Sequence, residues 1–306
     1  MKISPDFAAR TAIAILSVLS GFAANAAPTD VDSSQQIINA SKRTIAEVIR
    51  AFRPVLRPRS AVVLLDPQRI LVIPTADFNA YSDYTNKRVL IPAEFMAETL
   101  LQMQGTLLVE EKPSLRNRYV AWLKYLTERS QHILQTATRG GVVTDHSPLI
   151  PFWKFANQPP QYISPHFKHV IANAMVDAAA LVVGHELGHL VLGHRQYTEI
   201  SSETSQRQEY EADAFAEDLV SRAGLTIVPG LAFYERFIIS ESSSSGGAAY
   251  GHTHPSAECR VYRMVKRNLE RMTSVEHGRE YVERIGENVE AQLQSLVDSL
   301  RDECAQ

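Results

Sequence analysis

The sequence predicts a mainly α-helical protein of the α+β type with one small β element. Apolar residues recur at helical spacing over most of the 306 residues, whereas short β-branched runs are confined to residues 61–91. Hydrophobic residues make up 45% and charged residues 21% of the chain, a balance with which a chain of this length buries a full core. This length is compatible with one or two domains. A weakly marked boundary near residue 145 would separate an N-terminal region, residues 27–145, from a C-terminal region, residues 146–306.

The first 26 residues have the three regions of a secretory signal peptide. Lys2 and Arg10 give a basic start, residues 11–23 are mainly apolar, and residues 24–26 (Ala-Asn-Ala) form a small-residue cleavage site. An uncleaved anchor or a buried N-terminal helix is the alternative, and the lack of a cysteine after the site argues against a lipoprotein. Cleavage predicts a periplasmic or secreted protein.

The charge of the predicted mature chain argues against nucleic acid as a partner. Removal of Lys2, Arg10 and Asp6 with the signal peptide leaves 29 basic and 33 acidic residues, with no dense basic stripe. The other long hydrophobic run, residues 171–183, is interrupted by Asn173 and Asp177 and is too short to span a bilayer. We therefore expect no nucleic-acid partner and no stable membrane span in the mature chain.

The first half of the chain is predicted to combine helices with the β element. The apolar runs at residues 61–65 and 70–73 predict a small hairpin, which a third strand at residues 88–91 can join. Pro54 ends the first helix, and proline stands at the first position of the next two. Apolar residues at helical spacing place these helices at residues 37–52, 92–104 and 113–138.

The second half is predicted to be helical around two irregular segments. Residues 147–165 combine five prolines with aromatic residues, so they form a loop that either packs by its aromatics or walls a substrate cleft. Residues 241–251 are rich in serine and glycine and are predicted to be mobile. Ser201 or Ser202 caps one helix and Gly224 ends it. The helical patterns cover residues 166–194, 201–223, 231–239, 255–272 and 275–305.

Two cysteines, Cys259 and Cys304, fall in this half. An oxidising compartment would permit them to pair. Their separation in space decides whether they do, and the sequence does not give it. A disulfide and two free thiols therefore both stay open.

Residues 184–189, with the sequence GHELGH, bring two imidazoles and a carboxylate together on a predicted helix. Successive helical residues turn by about 100°, so His185 and His189 share one face and can chelate a metal ion, while Glu186 is offset. This spacing is typical of zinc hydrolases in which the glutamate takes a proton from a zinc-bound water. A chance cluster is the alternative, but the apolar flanks predict a buried helix, where an unpaired polar cluster is costly. We therefore expect peptide-bond hydrolysis.

A catalytic zinc site of this kind needs a third protein ligand. His194 lies about 140° round the helix from His189, so it points elsewhere if the helix continues, and we predict a helix-end residue. Glu209 and Asp213 share a face of the next helix, from which Glu211 turns away. Glu209 can then bind zinc while Asp213 accepts a hydrogen bond from a ligating imidazole. An ordinary solvated acidic face is the alternative.

Three motifs in this order resemble one family. HELGH, then EYEADAFA at residues 209–216, then His254-Pro255 with Arg260 beyond, is similar to the zinc metallopeptidase family that includes HtpX and the CAAX prenyl proteases. The resemblance covers about residues 170–265. It implies a zincin-like metallopeptidase core of the HExxH gluzincin type, with an active-site helix and a second ligand-bearing helix. It also implies Zn2+ bound by His185, His189 and Glu209, with Glu186 as catalytic base, Asp213 and Arg260 supporting the ligands, and His254 approaching the metal from the far side.

A second resemblance is the alternative. Only 19 residues separate His189 from Glu209, and the mature chain has no predicted transmembrane helix. The short link is similar to that of the ImmA/IrrE-like regulatory proteases, which also follow HELGH with an acidic helix. The signal peptide and the His-Pro motif argue against that group.

The expected mechanism leaves the role of two histidines open. Glu186 would take the proton of the zinc-bound water, and His254 or Tyr250 would stabilise the oxyanion of a protein or peptide substrate. Because His252 and His254 follow the Ser/Gly segment, either could instead bind the open zinc position and silence the enzyme. A latent or non-cleaving zinc-containing binding protein is the competing function, although a structural zinc site has no need of Glu186.

Overall fold

The structure, a computed structural model, describes residues 34–75, 79–138, 149–159, 165–243, 254–273 and 287–304. The predicted signal peptide and most of the Ser/Gly segment, with Tyr250 and His252, lie outside these ranges. Within them the protein is mainly helical with a small three-stranded sheet, which confirms the predicted fold class.

The predicted helices are present, most of them with shifted ends; of the last one, predicted over residues 275–305, the structure describes residues 287–304. The second continues past Gly105 to Glu111. A Cβ at Gly105 would lie 2.9 Å from the Tyr119 ring, so a residue without a side chain lets the helix pack against aromatic residues here. The α-helices are α1 (Ser34–Phe52), α2 (Ala93–Glu111), α3 (Arg116–Thr138), α4 (Phe152–Phe155), α5 (Pro165–Leu192), α6 (Ser202–Arg222), α7 (Ala232–Ser243), α8 (Ala257–Thr273) and α9 (Glu287–Cys304). Short 3-10 helices occupy Arg59–Leu65, Pro113–Leu115, Tyr197–Glu199 and Val228–Leu231.

The predicted hairpin is wrong in one of its strands. Residues 61–65 belong to the 3-10 helix Arg59–Leu65, which buries Ala61 and Leu65. An apolar run of five residues has no defined period, so it fits either a strand or a helical turn. The sheet consists of β1 (Ile70–Ile73), β2 (Tyr81–Asp83) and β3 (Arg88–Pro92).

The sheet has the order β1-β3-β2, and its hairpin is formed by β2 and β3. β1 runs parallel to β3 with Ile70 opposite Val89, and β2 runs antiparallel to β3 with Tyr81 opposite Leu90. β2 was not predicted, because the three residues Tyr-Ser-Asp carry no β-branched run. This strand lies beside α5, where Ser82 contacts Glu186.

One hydrophobic core joins the two halves of the described chain. It includes Phe52 of α1, Leu181 of α5 and Leu300 of α9, all of them almost fully buried. A second cluster packs Trp122 of α3 against Phe152 of α4. The predicted domain boundary near residue 145 stays a prediction.

α5 runs through the middle of this core. Within the described residues, the stretch Ile171–Glu199 is long and apolar enough to cross a membrane by length and composition. Its apolar window is 67% buried inside the protein, as in a core helix. A helix that is hydrophobic on all sides is expected in such a position.

Small residues let α5 and α6 pack closely. A Cβ added at Gly184 would lie 3.2 Å from the Cα of Ala216, and one at Gly188 would lie 3.1 Å from the Cα of Ala212. Ser201 is the N-cap of α6 and accepts a hydrogen bond from the Thr204 N–H at 3.2 Å. This packing brings the histidines of α5 opposite the acidic face of α6.

A disulfide links α8 to α9. Cys259 and Cys304 are bonded to each other, with their Cα atoms 5.0 Å apart. The structure thus decides the question that the sequence left open. The bond holds α9 against the helix that carries Arg260.

Candidate metal centre

Three side chains from α5 and α6 converge on one point. His185 Nε2 lies 3.1 Å from His189 Nε2 and 3.5 Å from Glu209 Oε2, and His189 Nε2 lies 3.6 Å from Glu209 Oε1. Their donor atoms all lie within 4.8 Å of one another, so the group could hold a metal ion. The one-turn spacing of the two histidines on α5 produces half of this site, and the close approach of α6 supplies the carboxylate.

His185 is held from behind by Asp213, one turn after Glu209 on α6. Its Nδ1 lies 3.0 Å from Asp213 Oδ1. Burial disfavours the charged ring, but the hydrogen bonds to Asp213 and Glu209 outweigh it and raise the pKa of His185 to about 10. The two carboxylates therefore stabilise a positive charge on the His185 ring.

Arg260 of α8 joins the two carboxylates. Its guanidinium donates to Asp213 Oδ1 at 2.7 Å and Oδ2 at 2.8 Å, and its Nη1 lies 3.0 Å from Glu209 Oε2. Burial alone would raise the pKa of each acid, but the charge of Arg260 holds the pKa of Asp213 and of Glu209 well below the usual range. Tyr234 completes the cluster by donating to Asp213 at 3.2 Å. Both acids are thus ionised acceptors.

His189 is held differently, by a residue just past the end of α5. α5 ends at Leu192, and Gly193 with φ +70° turns the chain so that the His194 ring folds back. His194 Nδ1 lies 2.9 Å from His189 Nδ1, and His194 Nε2 lies 3.1 Å from Glu211 Oε2. His194 thus follows the end of α5, as predicted, and because the helix does not continue, its ring turns back to His189.

A buried glutamine fixes the chain after that turn. Gln208 Oε1 accepts a hydrogen bond from the Arg195 N–H at 3.0 Å, and its Nε2 donates to the Arg195 carbonyl at 2.9 Å.

Burial has the largest effect on the pKa of His189, followed by the positive charge of His185, and together they lower this pKa to about 3. The His189 ring is therefore neutral and keeps a lone pair for a metal.

The Glu186 carboxylate lies beside the three donors and is bound by Ser82 of β2. The Ser82 hydroxyl lies 2.7 Å from Glu186 Oε2 and 2.9 Å from the Glu186 backbone carbonyl. Burial raises the pKa of Glu186 to about 6, although the charge of His185 and the Ser82 hydrogen bond oppose the rise. Nothing in the sequence indicates Ser82, because its contact depends on the position of a three-residue strand.

His254 lies next to Glu209. Its Nδ1 is 3.2 Å from Glu209 Oε1, and its side chain is 35% exposed. The ring thus reaches the metal site by contacting a candidate ligand. The predicted roles of Tyr250 and His252 lie outside the described residues.

An open cleft of about 390 Å³ passes over these groups. Tyr84 is half-buried in its wall and packs edge-on against His189 with ring centroids 6.3 Å apart. Burial, followed by the charges of Glu186 and Glu209, raises the pKa of Tyr84, so its phenol stays protonated and can donate a hydrogen bond. Tyr84 was not predicted as a site residue, because no motif surrounds it in the sequence.

Residues 152–277 match the family model described as Peptidase U49. The matched stretch includes α5 to α8 and hence the three candidate ligands, Glu186, Asp213 and Arg260. It indicates similarity to a peptidase family and does not single out the HtpX and CAAX prenyl protease family, so that closer resemblance stays a prediction. Comparisons with curated proteins and with solved structures gave no match.

Proposed function

We propose that the protein is a zinc-dependent endopeptidase that hydrolyses peptide bonds of protein substrates in the cell envelope. The observation that carries the proposal is the convergence of His185, His189 and Glu209 in a cleft that Glu186 also lines. The match of residues 152–277 to a peptidase family supports the same reaction class. This match is independent of the side-chain geometry.

The donor set fits zinc in type and size. Two imidazole nitrogens and one carboxylate form the His2Glu set of catalytic zinc hydrolases, whereas calcium and magnesium prefer oxygen ligands. Tetrahedral zinc at roughly 2.0–2.1 Å from each donor would place the donors about 3.3–3.4 Å apart. The two Nε2 atoms lie 3.1 Å apart, and the distances to Glu209 are 3.5 Å from His185 to Oε2 and 3.6 Å from His189 to Oε1, all close to that value.

The residues around the site supply the remaining chemistry. His185, His189 and Glu209 would hold the zinc, which would supply polarisation of the substrate carbonyl and a lowered pKa of a bound water. The Glu186 carboxylate takes the proton of the attacking water and later gives it to the leaving amine nitrogen. Ser82 orients that carboxylate through its 2.7 Å contact. Tyr84, or His254, donates a hydrogen bond to the oxyanion that develops on the substrate.

The test of the proposed function is the Glu186→Gln variant. Glutamine keeps the size of the side chain but cannot act as a base, so we expect zinc to stay bound while hydrolysis of casein falls by roughly a hundredfold or more. Metal analysis gives the zinc content, and digestion with and without a zinc chelator gives the metal dependence. Glu203→Gln, an exposed glutamate of α6, is the matched control.

Three outcomes would count against this function. Digestion that a chelator does not affect would remove the metal from the reaction. Bound zinc without cleavage of any protein would favour the competing function, a zinc-containing binding protein. Wild-type activity in the Glu186→Gln variant would show that this residue is not the base.

The envelope location rests on the predicted signal peptide. If it is cleaved as expected, the exported protein begins at Ala27. N-terminal sequencing of the protein recovered from the cell envelope or medium checks this. Recovery of the chain in the cytoplasm with its first 26 residues intact would remove the location from the proposal.

A further inference from the structure

The cleft over the metal site has different chemistry at its two ends. It runs along α5, where a rise of about 1.5 Å per residue places Val182 about 15 Å from the end of the helix at Leu192. Beyond that end the cleft is lined by Arg195, Gln196 and the exposed Tyr197, with Gln208 of α6 also in the lining. Before the two histidines it is lined by aromatic and aliphatic side chains.

We define the apolar end of the cleft by Phe95, Val182, Phe233 and Phe237. The rings of Phe95 and Phe233 stack with centroids 4.5 Å apart and an angle of 7° between their planes. Both are buried, whereas Val182 and Phe237 are partly exposed and line the open space. The apolar end is therefore an apolar wall in which two buried, stacked rings support two side chains that face open space in the cleft.

The apolar end adjoins the reacting groups. Val182 stands one helical turn before Glu186 on the same face of α5, since residues four apart lie one above the other. Phe233 lines the same cleft as His185 and Glu186. A peptide whose scissile carbonyl lies at Glu186 would thus direct a neighbouring side chain to this wall.

We propose that the apolar end is a specificity subsite that takes an apolar side chain, of the size of leucine or phenylalanine, from a residue flanking the scissile bond. This inference rests on the proposed peptidase function and specifies its substrate. Burial of an apolar side chain against these residues is favourable, because it removes apolar surface from water. A charged side chain loses its hydration, because the four side chains of the apolar end offer it no polar partner.

The direct test is a map of cleavage sites. Reduced, denatured casein is digested by the zinc-loaded full chain, and the products are identified by mass spectrometry. We expect Leu, Ile, Val, Phe or Met to be enriched at one fixed position next to the cut. Quenched peptides that differ only there should follow, with leucine cleaved roughly tenfold to a hundredfold faster than aspartate in kcat/KM.

A variant locates the preference in the structure. Val182→Phe fills the space in front of the wall, so we expect it to lower the ratio of leucine to alanine cleavage by roughly tenfold. Leu192→Phe places the same ring on the same helix but outside the cleft lining, and it should keep the wild-type ratio. Binding of fluorescent leucine and aspartate peptides to the Glu186→Gln protein gives a readout without turnover.

The outcomes separate this subsite from the function on which it rests. If no peptide is cleaved, the proposed peptidase function fails and the subsite fails with it. If casein is cleaved with no apolar enrichment beside the cut, the peptidase stands and the subsite is wrong. The subsite is also wrong if Val182→Phe keeps the wild-type ratio or if both fluorescent peptides bind equally.

Discussion

The two imidazoles of the candidate metal site have different supports. Asp213 faces His185 Nδ1, whereas a second imidazole, that of His194, faces His189 Nδ1. With a metal at Nε2, the proton of His189 sits on Nδ1, so His194 accepts at Nδ1 and donates from Nε2 to Glu211. One tautomer of each ring satisfies the series of hydrogen bonds from His189 through His194 to Glu211. His194 is then a positioning residue for a metal ligand.

Replacing His194 should therefore weaken zinc binding. His194→Leu removes the acceptor for His189 Nδ1–H, and we expect the dissociation constant for zinc to rise by roughly tenfold to a hundredfold. His194→Gln keeps an acceptor oxygen and should restore most of the affinity. Competition with a chromophoric zinc chelator measures both.

A comparison on α6 separates this role from general destabilisation. Glu211→Gln weakens the hydrogen bond between His194 and residue 211, so it should reduce zinc affinity less than His194→Leu does. Glu203→Gln should leave zinc affinity unchanged. The proposal that His194 positions His189 is wrong if the His194→Leu and His194→Gln variants bind zinc equally. It is also wrong if His194→Leu changes the zinc affinity no more than Glu203→Gln does.

Sequence alone could predict the residues that one helix brings together. His185, Glu186 and His189 follow from a single helical turn, and Glu209 with Asp213 from the shared face of the next helix. Ser82 could not be predicted, because it meets Glu186 across 104 positions through a strand too short to recognise. The position of His194 had a signal, since a glycine such as Gly193 commonly ends a helix.

At the scale of elements, the site depends on how closely α5 and α6 approach. Gly184 faces Ala216 and Gly188 faces Ala212, so the backbone of one helix lies against the backbone of the other. Glu209 stands on α6 three residues before Ala212, nearly one turn away. The packing of the two helices therefore sets the distance of Glu209 from the histidines.

A side chain at Gly188 should separate the two helices. In Gly188→Val the new atoms would meet the Ala212 backbone and the Phe215 ring, so we expect a loss of about 1–3 kcal/mol in the free energy of unfolding. Zinc affinity should fall with it, because Glu209 moves away from the histidines. Urea unfolding and chelator competition measure the two effects.

The matched control is the glycine at the end of the same helix. Gly193 has nothing within 4 Å of an added Cβ, and asparagine tolerates its positive φ. Gly193→Asn should therefore change the free energy of unfolding much less than Gly188→Val. Unchanged stability and zinc affinity in Gly188→Val would show that the helix contact is not limiting.

Long periodic helices could be predicted from the sequence, whereas the short elements could not. α1 and α8 carry apolar residues at helical spacing along one face, so their period is well defined, and α5 is an apolar stretch too long for a strand. The run at residues 61–65 and the strand β2 are too short for a period, and their conformations depend on the core around them.

At the scale of the whole molecule, the core also contains acids. Glu235 of α7 is fully buried and accepts hydrogen bonds from Gln102 at 2.9 Å and from Tyr119 at 3.2 Å. Burial raises the pKa of Glu235 to about 8, although both hydrogen bonds oppose the rise. The folded protein therefore keeps this carboxyl protonated at neutral pH.

This burial predicts a fall in stability as the pH rises. In the unfolded chain a glutamate has a pKa of about 4.3, so below that value both states hold the proton. Between about pH 4.3 and 8 the unfolded chain loses the proton while the folded protein keeps it, which costs on the order of a few kcal/mol by pH 8. Glu235→Gln should remove this contribution.

Urea unfolding at pH 5 and pH 8 checks the role of Glu235. The loss of stability between the two pH values should be smaller in Glu235→Gln than in the wild type, and Glu203→Gln should behave like the wild type. An equal loss in all three proteins would mean that Glu235 does not carry the dependence.

The contact between Ser82 and Glu186 has a consequence for biosynthesis. The proposed base, Glu186, is bound by Ser82 of the early chain, the candidate ligands come from its middle, and Arg260 follows on a helix that the Cys259–Cys304 bond links to α9. A nascent or half-folded chain lacks one or more of these parts. Under the proposed function, cutting activity would arise only after nearly the whole polypeptide has folded, which would protect neighbouring proteins while it is being made.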